Sequence, residues 1–423
     1  MKKKLFFLAV AAVALASCSN DETVASQTNN EANAISFRPL VTNVTRAATD
    51  PGLITAFVAG NQINVWADYK QESSDVKYFY DTYEYATSPA AFNPTSSQKH
   101  YWPATVSGDH PVTFYATYGV PQSSGGVFDL SGTSNKFTPN ATAASQVDVL
   151  VAKEIRTSGA SGGAVVLNFR HALSQIAVKV KNTNPNLKFT VKEVRIGCIS
   201  TEATAFTLAF DNTDTDSKPQ QTNANTPLTT DANMISASSW TIVTDGVTAN
   251  ANKYDQDPSD LTFEGTTDVT GGGSTANAIT AFGSSWILLP QTMKAFNTTT
   301  LTATPTTKEY TAKRDGTGTA TGNPELSGSY IALKLTIDNW NGAAATGNIV
   351  TDQWCYWPID GLGAWTPGLK YTYTVDMAGG GYYPQDMVNN DGKLDGILQE
   401  IVISPSCTID VWNEQSATNV TMP

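Results

Sequence analysis

Apolar residues in this chain alternate with polar ones over short runs, and no segment sustains the 3.6-residue period of an amphipathic helix. Ile63-Asn64-Val65-Trp66-Ala67, Val112-Thr113-Phe114-Tyr115-Ala116, Ile331-Ala332-Leu333-Lys334-Leu335-Thr336-Ile337 and Tyr371-Thr372-Tyr373-Thr374-Val375 each place one apolar face on a strand. Tyr78–Tyr80, Val147–Val151, Val165–Leu173 running into Ile176–Val180, Phe189–Ile199, Ala205–Phe210 and Trp286–Pro290 carry the same signal. Clusters of Gly, Pro, Asn and Ser separate them. Short strands punctuated this way predict an all-β protein built as sandwiches. The stretch Ala172–Ala177 leaves room for one helical turn at most.

Residues 211–280 are rich in Thr, Asn, Asp, Ser and Gly. They read as a transition between two β domains together with long loops of the second. The chain therefore divides into residues 47–212 and 213–423, two β-sandwich domains in tandem.

Charged residues make up 15% of the 423 residues and the net charge is −12. An acidic chain without basic clusters is a poor match for nucleic acid or for an anionic membrane surface. Cys198, Cys355 and Cys407 are widely spaced and form no CxxC motif, so a zinc or thioredoxin-like site is not indicated. One disulfide is compatible with the count, and buried free thiols on strands are the simpler reading.

The N-terminus reads as an export signal, residues 1–17. Lys2, Lys3 and Lys4 precede the apolar run Leu5–Ala16, which is too short to span a bilayer. Leu15-Ala16-Ser17-Cys18 follows and resembles a bacterial lipobox, which makes Cys18 the candidate lipidation site. Residues 18–46 then form a propeptide: a polar tether from Ser19 to Asn33, a first strand from Ile35 through Phe37 to Leu40, and the connector Val44-Thr45-Arg46-Ala47-Ala48. Pro39 confines that strand to a sheet edge or to a strand end. Arg46 is either a lone linker charge or a proteolytic site, because nicking concentrates in exposed connectors. At the other end of the chain, Ile401, Ile403, Cys407, Ile409 and Val411 form one apolar stripe interrupted by Pro405, within residues 399–412.

Catalytic chemistry finds little support. His100, His110 and His171 lie in no G-x-S-x-G or HExxH frame, and a triad needs nucleophile, base and acid brought together. Asn389–Asp395 resembles part of a calcium loop, yet with Gly392 as the loop glycine the first and twelfth positions are Met387 and Leu398, which cannot ligate. No metal or cofactor is expected. Trp66, Trp102, Trp286, Trp357, Trp365 and Trp412 could stack on sugars, but most lie inside strand patterns where core packing is the default.

Several of these segments together resemble the fimbrillin family of Bacteroidetes, the type V pilins. They are the lipobox at Cys18, Val44-Thr45-Arg46-Ala47 after a first strand, Tyr101-Trp102-Pro103 before Val112–Ala116, Leu167–Ile176, Trp365–Tyr373 and Thr408-Ile409-Asp410-Val411-Trp412. The resemblance implies two transthyretin-like, Greek-key sandwiches of immunoglobulin type. It implies a precursor lipidated at Cys18, carried to the outer membrane, and cut by an arginine-specific protease between Arg46 and Ala47. The cut would displace the first strand, Ile35, Phe37 and Leu40, and the stripe Ile401–Val411 of a neighbouring copy or related fimbrial subunit would take its place. The expected role is a surface fimbrial subunit in adhesion or biofilm growth, with a host glycan or protein as a possible receptor. The alternatives are a non-polymerising surface lipoprotein (an anchor, a tip adhesin or a glycan binder) and a secreted β-sandwich hydrolase.

Overall fold

The computed structural model describes residues 33–39, 57–72, 74–119, 127–129, 137–207, 239–244, 253–256, 261–266, 285–294, 328–359, 363–379, 406–411 and 420–421. The strands in the first part of the chain are β1 (Phe37–Pro39), β2 (Gln62–Gln71), β3 (Ser74–Thr87), β4 (Ala90–Pro94), β5 (Val112–Tyr118), β6 (Val127–Asp129), β7 (Leu150–Arg156), β8 (Val165–Leu167) and β9 (Arg170–His171). Then come β10 (Ser174–Lys181), β11 (Leu187–Gly197), β12 (Ala203–Thr207), β13 (Trp240–Ile242), β14 (Lys253–Gln256), β15 (Leu261–Glu264) and β16 (Trp286–Leu288). The last are β17 (Tyr330–Trp340), β18 (Ala345–Pro358), β19 (Leu369–Asp376), β20 (Ser406–Val411) and β21 (Val420–Thr421). Helical geometry among the described residues is confined to short 3-10 turns, so the fold is all-β.

Alternation decides which way each strand faces. On β2, Ile63, Val65, Ala67 and Tyr69 are buried, and on β5 so are Val112, Phe114 and Ala116. Both sets join one core with Phe79, Tyr83, Tyr85, Phe92, Trp102, Val165 and Leu167. That core lines an eight-stranded sheet of order β8-β1-β4-β3-β2-β5-β7-β9. A second core lies between the sheets β16-β10-β19-β20-β21 and β14-β11-β17-β18. There Ile176, Val178 and Val180 of β10 share a cluster with Ile331, Leu333, Leu335 and Ile337 of β17. Burial of each such side chain contributes about 1.5–3 kcal/mol. A third, smaller cluster joins Val149 and Val151 to Ala172, Leu173, Phe206, Trp240, Ile287 and Leu289.

Several expectations are corrected. Ala172–Ala177 holds no helical turn: β10 begins at Ser174, because the alternating Ile176, Val178 and Val180 serve one buried face. The strand expected from Val147 starts at Leu150, with Val149 still accepting a backbone hydrogen bond from Ala172 and Asp148 bonded to His171. Residues 211–280 are more than loops. They carry β13, β14 and β15, each anchored by one large buried ring: Trp240, Tyr254 and Phe263. The boundary expected near residue 212 lies outside the described residues. Pairing partners change earlier, since β9 is the last strand of the eight-stranded sheet in sequence, and β10 and β11 pair with β14, β15, β16, β17 and β19.

Candidate functional site

The feature that most suggests function is the slot that holds β1. This strand lies inside the eight-stranded sheet, between β4 and β8. It runs antiparallel to β4, with Phe37 opposite Phe92, and parallel to β8, with Phe37, Arg38 and Pro39 opposite Val165, Val166 and Leu167. Pro39 closes the strand, which is the place a residue without an N–H can occupy. It does not mark an edge, because β8 lies beyond it.

Both sides of the segment are hydrogen bonded. Ile35 N–H donates to the His100 carbonyl at 2.8 Å, and Trp102 N–H donates to the Asn33 carbonyl at 3.0 Å. Val165 N–H donates to the Ser36 carbonyl at 2.8 Å. The Tyr101-Trp102 pair is therefore a backbone partner of the first strand, with Ala34 bridging Tyr101.

Side chains alternate along the segment. Ile35 and Phe37 are buried, while Ser36 and Arg38 are exposed. The Phe37 ring, at 0% exposure, packs edge-on against Tyr83 and Phe114, with centroids 4.8 and 5.3 Å away. Phe92, Val165 and Leu167 are buried in the same cluster. Trp102 backs the pocket, edge-on to Phe114 at 5.6 Å, with the Arg156 guanidinium over its ring. Sequence reading missed Phe92 because β4 carries one large apolar residue between Pro89 and Pro94, which reads as a turn.

The remaining expected site residues are distributed as follows. Cys18, Leu40, Arg46, Ala47, Ile401 and Ile403 lie outside the described residues, as do Trp412 and Asn389–Asp395. Cys407, Ile409 and Val411 lie on β20, which pairs antiparallel with this chain's own β19, opposite Tyr373, Tyr371 and Leu369. The outer side of β20 is paired in turn with β21, Ile409 opposite Val420.

Each histidine has a structural partner. His110 Nδ1 is 3.2 Å from the Lys70 carbonyl, and His171 Nδ1 is 2.8 Å from Asp148 Oδ2. His100 stacks flat on Phe79 at 4.0 Å and reaches Asp81 Oδ2 at 3.1 Å. Ser96 Oγ donates to the same carboxylate oxygen at 2.7 Å. Ser, Asp and His are thus together, but the carboxylate stands in the middle. A nucleophilic triad needs the imidazole there, to take the hydroxyl proton. Trp66, Trp102, Trp286, Trp357 and Trp365 are all buried, so none offers a ring face for stacking on a sugar. Cys198 and Cys355 are free and buried, Cys355 on β18 and Cys198 just past the end of β11. No group of three or more metal-ligating side chains occurs among the described residues.

A family model described as fimbrillin-like matches residues 45–386. The chain belongs to the fimbrillin-like family. Membership supports a role as a fimbrial subunit at the cell surface and points to a structural protein rather than an enzyme. Among solved structures, this fimbrillin-like chain is similar to a candidate cell adhesion protein of Bacteroides uniformis, at 14% identity over 90% of this chain and 97% of that one, with a TM-score of 0.38. It is similar to a candidate cell adhesion protein of Parabacteroides distasonis, at 11% identity over 82% and 88%, with a TM-score of 0.40. It is also similar to a fimbrial assembly protein of Parabacteroides distasonis, at 8% identity over 91% and 98%, with a TM-score of 0.34. No curated protein matches the chain. No helix among the described residues is long and apolar enough to cross a membrane.

Proposed function

We propose that the protein is a polymerising fimbrial subunit, exported as a lipoprotein through Cys18, cut between Arg46 and Ala47, and assembled by strand exchange. The observation that carries this reading is the position of β1. It lies between β4 and the edge strand β8, buries Phe37 completely, and precedes Arg46 in sequence. A cut after Arg46 frees β1 from the rest of the chain. Its departure leaves the facing edges of β4 and β8 with unpaired backbone groups above an apolar pocket, a template for any extended chain. A strand from a neighbouring copy satisfies both needs. Head-to-tail contacts of that kind do not close, so they propagate into fibres.

The test is mass spectrometry of the N-terminus of protein sheared from the cell surface, compared with Arg46→Ala. The expected mature start is Ala47, accompanied by SDS-resistant ladders. Arg46→Ala should leave uncut, monomeric lipoprotein, and normal fibres from that variant would overturn the proposal.

One observation favours a second reading. Because β20 is held by β19 and β21 of its own chain, the C-terminus has a place at home. A subunit that lends no segment to a neighbour would end a fibre or stand alone as an anchor or tip. Retention of the lipidated Cys18 start without a ladder would select that reading.

A further inference from the structure

We propose that the segment entering a neighbour's slot is Ile401–Pro405, with Ile403 in the Phe37 pocket, while Ser406–Val411 stays in its own sheet as β20. The proposal rests on the strand-exchange reading above and specifies its register.

The occupant of the slot is Ile35-Ser36-Phe37-Arg38-Pro39. The C-terminal stripe contains Ile401-Val402-Ile403-Ser404-Pro405. The two share isoleucine at the first position, a large apolar residue at the third and proline at the fifth, in the same chain direction. In the slot, the first and third positions are buried and the second and fourth are exposed. Ile401 and Ile403 therefore replace Ile35 and Phe37, and Ser404 falls where Arg38 stands beside Val166. Running in the same direction, the segment lies parallel to β8 and antiparallel to β4, as β1 does. Pro405 ends pairing where Pro39 ends it, for want of an N–H.

Two large apolar residues also alternate before a proline at Trp286–Pro290 and Trp354–Pro358, but those stretches are already committed to pairing β16 with β10 and β18 with β17. The rest of the stripe is committed too. Ser406–Val411 pairs with β19 over six positions, from Thr374 to Leu369, and β21 covers its other side. Withdrawing it to serve a neighbour would strip one edge to complete another. Pro405 stands at the junction between the two parts. The smaller side chain of Ile403 fills the aromatic pocket less fully than Phe37, so β1 outcompetes it until the chain is cut. Cleavage then controls assembly.

Cysteine pairs decide the register. In a Cys407→Ser background, Val166→Cys is combined either with Ser404→Cys or with Asp410→Cys, which would face Val166 if Ile409 took the Phe37 pocket instead. Fibres are oxidised, boiled in SDS and run with and without reductant. The expected result is reducible covalent oligomers from the Ser404→Cys pair alone. Oligomers from the Asp410→Cys pair, or none from the Ser404→Cys pair although fibres form, overturn the register and leave strand exchange standing. Failure of the cut parent chain to polymerise overturns strand exchange and the register with it. As a second check, Ile403→Asp should abolish the ladder and leave a folded subunit, whereas Ile403→Phe should retain the ladder. Equal ladders from both would overturn the assignment of Ile403.

Discussion

Phe37 and Tyr83 meet edge to face with centroids 4.8 Å apart and ring planes at 79°, and Arg46 lies between them in sequence. A cut after Arg46 turns this intramolecular contact into one between separate chains. The contact then has no covalent tether, and in the proposed assembly its loss frees the slot.

Phe37→Ala should therefore weaken the uncut chain at one defined place. Truncating a buried Phe costs about 3–5 kcal/mol when the surroundings cannot collapse. Part of that cost is avoided here because a three-residue strand can simply detach. The expected outcome is rapid hydrogen exchange at the Val165 amide, which donates to the Ser36 carbonyl, while amides of β17 keep their protection. Unchanged exchange at Val165 would mean that β1 is not held by its phenylalanine.

A second prediction concerns the Trp365-Thr366-Pro367-Gly368 turn. Trp365 Nε1–H donates to Tyr373 Oη at 2.8 Å, and both side chains are at 0% exposure. Tyr371 Oη accepts from Thr366 N–H at 2.8 Å and donates to the Ala364 carbonyl at 3.0 Å. Two tyrosines of β19 thus hold the turn that leads into it. Tyr373→Phe removes the acceptor from a buried indole N–H, at a cost of about 1–3 kcal/mol. Denaturant unfolding should show a lower midpoint with an unchanged slope. A midpoint equal to wild type would mean that the bond contributes nothing net.

Most of the sheet architecture was legible because burial is one-sided. Ile331, Leu333, Leu335 and Ile337 declare their face by alternation alone, and the structure buries all four. The first strand was legible from Ile35 and Phe37 for the same reason. Its interior position was not, because Pro39 looks the same at the end of a central strand as on an edge. β14 and β15 were hidden because one ring apiece, Tyr254 and Phe263, anchors a strand that is otherwise polar. The lining of the slot was hidden for a different reason. Tyr83, Phe92, Phe114 and Val165 come from four strands, and only the pairing of β1 with both β4 and β8 brings them around Phe37. Local patterns carry the face of a strand but not its neighbours.

The cysteines give a third prediction. Burial pushes the thiols of both Cys198 and Cys355 above their ordinary range. The thiolate is the reactive form, and a shielded neutral thiol is inert. With Cys407→Ser, the folded mature protein should take up no maleimide between neutral pH and about pH 9, where a free thiol is mostly ionised. Two equivalents should react after denaturation. Labelling of the native protein that climbs through that range would show that one of the two sites opens to solvent.

Tyrosine ionisation sets an alkaline limit on stability. Burial pushes the Tyr115 hydroxyl up to about 12, with Asp68 and Asp75 adding to the shift. Burial also raises Tyr83, Tyr254 and Tyr330. In the unfolded chain these groups titrate near pH 10. Below that pH both states hold the protons and stability does not depend on them. Between about pH 10 and about pH 12 the unfolded state has lost protons that the folded state keeps, so stability falls as pH rises. Melting temperatures should be level up to about pH 9.5 and drop steeply above it, with phenolate absorbance from these residues appearing only as the protein unfolds. Tyr115→Phe removes one such proton difference and should make the drop shallower. A drop of equal steepness in the variant would show that Tyr115 ionises freely in the folded sheet.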